Sequence, residues 1–251
     1  MAVELEGGCR VSTMHEGDPH VFGSLKIWNQ IGRAGGAQAI SMRILEFGPG
    51  TSPGLRNRES DEVIYVLEGD CTVCIDGVGY DVSPESGVYL RPGQTLSVKN
   101  PGPDFVRVVS SQCPEETFEI TNESVAPASV QPSPIVKLSD RRALPTADRW
   151  YRVLVDDEIG SEQVTQFVGS IPPGRAPDHF HEYEEVLFIL RGEGRMWAGD
   201  TNTPIGPGSC IYLPKRQVHC VENTGAGELR LLGVFYPAGS PAVRYEAADQ
   251  R

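Results

Sequence analysis

Short apolar runs dominate this chain, and long amphipathic stretches are missing. VTQFVGSI, EEVLFILRG, GSCIYLP and LRLLGVFY are rich in β-branched and aromatic residues and are bounded by Gly, Pro, Asn or Asp. No window of a dozen residues carries a 3.6-residue period. The pattern predicts an all-β chain of many short strands joined by tight turns. Such chains form sandwiches, barrels or jelly rolls.

The runs also recur. EVIYVLEG, from Glu62 to Gly69, reappears as EVLFILRG, from Glu185 to Gly192, 123 residues further on. VYLRPGQTLSVKN, from Val88 to Asn100, returns as IYLPKRQVHCVEN, from Ile211 to Asn223, at the same offset of 123. FGPGT, from Phe47 to Thr51, matches IPPGR, from Ile171 to Arg175, at an offset of 124. The chain therefore reads as two copies of one module of about 100 residues. The expected division is an N-terminal module over residues 1–122, a linker over 123–145 and a C-terminal module over 146–251. The linker carries Pro127, Pro132 and Pro134. Proline removes amide donors and favours extended backbone.

Composition narrows the partners. The 251 residues carry a formal net charge of −12, which repels phosphate backbones and anionic lipids. Neither nucleic acid nor a membrane surface is an expected partner. No apolar stretch approaches the roughly 20 residues that span a bilayer. The N-terminus, MAVELEGGCR, lacks a basic start followed by an apolar core, so a cytoplasmic protein is expected. The six cysteines are then free thiols. Cys71 and Cys74 form a Cys-x-x-Cys pair inside a strand-like run, with no second pair or nearby His to complete a zinc set.

Candidate chemistry gathers in the second copy, which holds three of the five histidines. His179 and His181 are two apart, so on a strand both point to one face. Glu185 follows on that face if the strand continues. His219 comes after an apolar strand and a Pro-containing turn. Three neutral imidazoles and a carboxylate suit Fe, Mn, Ni, Co, Cu or Zn and not the all-oxygen preferences of Mg or Ca. Four protein ligands leave open positions on a five- or six-coordinate ion.

These residues resemble the two motifs of the cupin superfamily. The first reads Gly174-x4-His179-x-His181-x3-Glu185-x6-Gly192, and the second Gly208-x5-Pro214-x-Arg216-x2-His219-x3-Asn223. Two departures touch no ligand: the Gly-to-His gap is one residue shorter than the commonest form, and Arg216 stands where a Gly is usual. The resemblance implies two tandem cupin double-stranded β-helix (jelly-roll) barrels, with a metal inside the second. It also implies that the halves pack in the manner of a cupin dimer, and a homodimer is a further expectation.

In the first copy the same framework places Arg56 and Arg58 at the positions of His179 and His181, and Leu96 at that of His219, with only Glu62 retained. Guanidinium has no free lone pair and Leu cannot ligate, so this site is expected to be degenerate and metal-free. Arg56 and Arg58 are expected to pair with Glu62 or, on a second reading, to hold an anion. Arg195 and Trp197 share a strand face after the hairpin and are pocket candidates. Glu184 and Tyr183 flank a ligand; a solvated surface role is expected of them, with acid–base work as the alternative. His15 and His20 fall in a turn-like segment and are expected to be exposed or to serve oligomer contacts.

The expected function is a metal-dependent enzyme acting on a small organic molecule, foremost an oxygenase of dioxygenase type. The alternative is a non-redox isomerase, lyase, decarboxylase or hydrolase, and the third reading is a non-catalytic small-molecule binding protein.

Overall fold

The computed structural model describes residues 1–121, 132–146, 148–243 and the backbone of 245–246. Its strands form four antiparallel sheets, two per jelly-roll barrel. In the N-terminal barrel a seven-stranded sheet faces a six-stranded one. The C-terminal barrel repeats the plan with eight strands and six.

The two apolar repeats form the strands Asp61–Glu68 and Glu184–Arg191. Both are buried on both faces, which is why they read as continuous apolar runs and not as alternation. Ile64 and Val66 fill the N-terminal barrel, while Val63 and Tyr65 face the neighbouring barrel. Leu187 and Ile189 fill the C-terminal barrel, while Val186 and Phe188 face back. A third core thus lies between the two barrels and also takes in Trp28, Ile44, Leu154, Val168 and Leu232. By contrast, Cys71–Ile75 and Gly194–Ala198 are buried at alternate residues, as strands with one wet face should be. Cys71 is buried and Cys74 half-buried on the other face, and the six cysteines are free.

The barrels exchange edge strands. Arg10–Thr13 pairs with Ser209–Leu213 of the C-terminal barrel. Ile135–Lys137 pairs with Ser86–Leu90 of the N-terminal barrel. The segment preceding each barrel therefore completes the other's sheet. The expected boundaries at 122 and 145 are crossed twice, and the second half of the expected linker is built structure. Its residues 123–131, including Pro127, lie outside the described residues.

The interface is closed by a matched pair of polar contacts. Glu184, 3% exposed, accepts the amides of Gln38 and Ala39 from the N-terminal barrel and the hydroxyl of Tyr212. At the related position Tyr89 donates to Asp61 at 2.5 Å, and Arg91 donates to the Ile159 carbonyl across the interface. The expectation that Glu184 is solvated is thus overturned. It immediately precedes the barrel-facing ligand candidate Glu185, and the outward side of this strand is interface, not water. No helix among the described residues is long and apolar enough to cross a membrane.

Candidate metal centre

Three histidines converge inside the C-terminal barrel. His179 starts the two-residue strand His179–Phe180 and pairs across the sheet with His219, the first residue of His219–Asn223. His181 follows where the strand ends. One ligand atom from each of the three lies within 4.8 Å of the others. Ring centroids stand 4.5 Å apart for His179 and His219, 5.0 Å for His179 and His181, and 5.3 Å for His181 and His219. Glu185, on the facing sheet, brings Oε2 to 3.6 Å from His181 Nε2.

Backbone carbonyls select the tautomers. His179 Nδ1 lies 3.0 Å from the Pro177 oxygen, His181 Nδ1 3.1 Å from that of Val243, and His219 Nδ1 2.8 Å from that of Gln217. A carbonyl only accepts, so each Nδ1 carries the proton and each Nε2 keeps its lone pair. Tyr183 stacks on His181 at 4.8 Å and on Phe235 at 4.4 Å, holding the imidazole plane. Its ring is packed, not solvated. The Arg216 amide donates to the His181 carbonyl at 2.7 Å, and Arg216 sits at φ 62. That left-handed geometry gives a physical reason for the glycine usual in this turn.

Burial sets the electrostatics. It pushes His181 down to about 4, helped by His179, against the Val243 hydrogen bond. It pushes His219 down to about 3, again with His179 second. Both are neutral at pH 7, as a ligating imidazole must be. Burial pushes Glu185 up to about 8, with no opposing charge facing it among the described residues. Three inward lone pairs and a buried carboxylate without a cation are the donor set that a divalent transition metal would satisfy.

The ligand candidates open onto a cavity of about 120 Å³. Its walls include Trp150, Tyr151, Phe167, Leu187, Val221 and Leu231. Arg195 and Trp197 are not among the lining residues. On Gly194–Ala198 the inward residues are Gly194, Met196 and Ala198. Arg195 bonds Asn202, and Trp197 donates to Glu222 beneath the Arg175 guanidinium, 4.1 Å away. Both belong to the outer face. The wall residues Trp150, Tyr151 and Phe167 were missed by sequence reading. They come from strands far from the motifs, and only the inward parity of those strands could have pointed to them.

The N-terminal barrel corrects the expected degenerate set. Leu96 pairs with Leu55, and Arg56 with Thr95, one residue out of register from the His179–His219 pair. A one-residue slip reverses faces. Leu55 and Asn57 therefore point inward, while Arg56 and Arg58 are exposed. Arg56 donates to the Gly93 carbonyl, and Arg58 pairs with Glu119 at 2.5 Å, so neither meets Glu62. Glu62, 1% exposed, takes Arg43 at 2.6 Å and also accepts from Asn57 and Ser110. Part of the signal was in the sequence: Pro53 and Pro177 are 124 apart, so the extra residue of the first copy falls after Pro53, and the Leu55–Leu96 pairing places it after Asn57.

His15 lies 2.9 Å from Glu46 and edge-on to Trp28, within the chain; His20 is exposed on the strand His20–Phe22.

Solved structures share this architecture. Oxalate decarboxylase from Bacillus subtilis matches with a TM-score of 0.73 at 14% identity, covering 90% of this chain and 76% of that one. A putative glyoxylate-induced protein from Pseudomonas aeruginosa matches with a TM-score of 0.74 at 17% identity, covering 94% and 91%. These likenesses establish the fold. In sequence, auxin-binding protein 1 of Arabidopsis thaliana is 31% identical over 86 residues, 30% of this chain and 43% of that protein. An oxalate-binding protein of Thermotoga maritima is 36% identical over 67 residues, 26% of this chain and 55% of that one. The matches thus span about half the length of these relatives. The family model described as cupin domain matches twice, over residues 43–111 and 167–235, one match in each barrel and together more than half of the sequence. With the motif repeated in sequence and the barrel repeated in space, the chain belongs to the cupin family, as a protein of two tandem cupin barrels.

Proposed function

We propose that this protein is a metal-dependent oxygenase acting on a small organic molecule, with one divalent ion held in the C-terminal barrel by His179, His181, Glu185 and His219. One observation carries the choice of chemistry. Besides the four ligand candidates, the ionisable side chains among the described lining residues are Arg149 and Tyr151. Among these described residues no spare carboxylate or imidazole stands ready as a general base. Isomerases and lyases that move protons need such a group. When bound, iron, nickel, copper or manganese would itself supply Lewis acidity and an electron path to oxygen, with zinc or cobalt limited to the former. The chain's part is to orient the imidazoles through three carbonyls, keep Glu185 available and exclude water with apolar walls. The N-terminal barrel, with Glu62 engaged by Arg43, is assigned no metal.

Tyr151 supports one second reading. Tyr151 is a lining residue, and its hydroxyl is the candidate proton donor for a non-redox decarboxylase or isomerase. Protein purified without added metal should carry close to one transition metal ion per chain. Iron, nickel or copper, with oxygen uptake on an enol or diketone, supports the oxygenase. Turnover without oxygen, lost in Tyr151→Phe, supports the second reading. In His219→Ala both metal and turnover should be lost, and oxygen-dependent turnover persisting there refutes the assignment.

A further inference from the structure

The pocket walls say more than the ligand set does. Resting on the metal reading above, we propose that the site takes a mono-anionic oxygen ligand, a carboxylate or enolate, carrying one compact apolar body about the size of a benzene ring. It is not built for a small dianion such as oxalate.

Size comes first. The cavity of about 120 Å³ is close to the roughly 150 Å³ apolar cavity known to hold benzene. Chemistry comes second. Tyr151, Phe167, Ile171, Leu187, Val221 and Leu231 are all buried and line it. Ser170, also in the lining, already donates to Glu228. Among the described lining residues Arg149 is the one guanidinium, and it is bonded to Asp148 at 3.0 Å. Against these walls the outer oxygens of a dianion would be stripped of water and would meet hydrocarbon, with no spare cation among the described lining residues.

The duplication supplies an independent comparison. Phe167 pairs across its sheet with Gly233, where the N-terminal barrel pairs Arg43 with Ser110. One copy of the fold has a buried arginine and a hydroxyl at this place, and the other an aromatic ring over a glycine. The glycine is required by the ring: a Cβ on Gly233 would stand 2.3 Å from Phe167 Cε1. The aromatic wall is thus built by two residues together, on the side of the barrel that faces the ligand set.

Titration calorimetry of the zinc-loaded protein with acetate, isobutyrate, benzoate and oxalate tests this directly. Acetate and benzoate share a head group, so their difference reads the walls alone. Affinity should rise along the monocarboxylates, with benzoate at least tenfold tighter than acetate and tighter than oxalate. Gly233→Ala, which drives the Phe167 ring into the cavity, should weaken benzoate at least fivefold and leave acetate within twofold, with metal content unchanged. Benzoate no tighter than acetate, or oxalate tighter than benzoate, overturns the proposal while the metal reading stands. A chain that takes up no zinc overturns both.

Discussion

Replacing Arg43 with Met should cost more than any surface change, and the structure sets how much. Arg43 and Glu62 stand 2.6 Å apart with side chains only 4% and 2% exposed. At an effective dielectric constant near 20 their attraction is about 6 kcal/mol at that 2.6 Å separation. Asn57 and Ser110 still donate to the carboxylate after the change, so it is not left bare. Breaking a buried pair from one side costs about 3–5 kcal/mol, and we expect Arg43→Met to fall in that range. The Met stem keeps contact with Phe118, over whose ring the guanidinium sits at 4.9 Å. In urea, with a slope of about 3 kcal/mol per molar, the unfolding midpoint should drop by at least about 1 M. Removing both charges, in Arg43→Met with Glu62→Leu, should recover at least about 2 kcal/mol of the loss. Metal content should not change in either variant. A single substitution costing under about 1 kcal/mol, or a double variant as unstable as the single, would refute the buried-pair reasoning.

Acidity should shape the metal-free protein. Glu185 titrates higher in the fold, near 8, so its favourable contribution is complete below about 4.5 and is lost as pH rises through 8. His181 and His219 titrate lower, near 4 and 3, so theirs is present above about 6.5 and lost as pH falls through those values. The melting temperature of metal-free protein should therefore fall between pH 6.5 and 8.5, and Glu185→Gln should flatten that fall; an equally steep fall in the variant counts against it. Metal uptake at pH 7 should release about one proton per ion from Glu185, read by calorimetry in buffers of different ionisation enthalpy, and no release would contradict the assignment. Glu184→Ala strips the Gln38 and Ala39 amides of their acceptor and should cost about 3 kcal/mol in urea unfolding, a prediction that a loss below about 1 kcal/mol would defeat.

Much of this was legible in the chain for reasons that can be stated. The strands were readable because their apolar runs are short and bounded. The duplication was readable because Glu62 to Gly69 and Glu185 to Gly192 face two cores each and so tolerate little but apolar residues. The histidine triad was readable because strand parity is local. What failed was non-local. The placement of one extra residue decided whether Arg56 or Asn57 faces inward, and only the paired strand around Leu96 settles that. Arg195 and Trp197 share a face, but the curvature of the barrel decides which face is inside. The exchange of edge strands at Arg10–Thr13 and Ile135–Lys137 has no local signal at all.

The same non-local packing gives the N-terminal barrel a part in the candidate site. Glu184 and Glu185 are consecutive, so fixing one fixes the other. Glu184 is held by amides of Gln38 and Ala39, which belong to the N-terminal barrel. Val186 and Phe188, next along the strand, pack into the core shared with Val63 and Tyr65. The strand that carries the carboxylate is thus clamped from outside its own barrel. A duplicated copy relieved of metal binding can fill its interior with a buried ion pair and still serve as the rigid wall against which its sister's site is set.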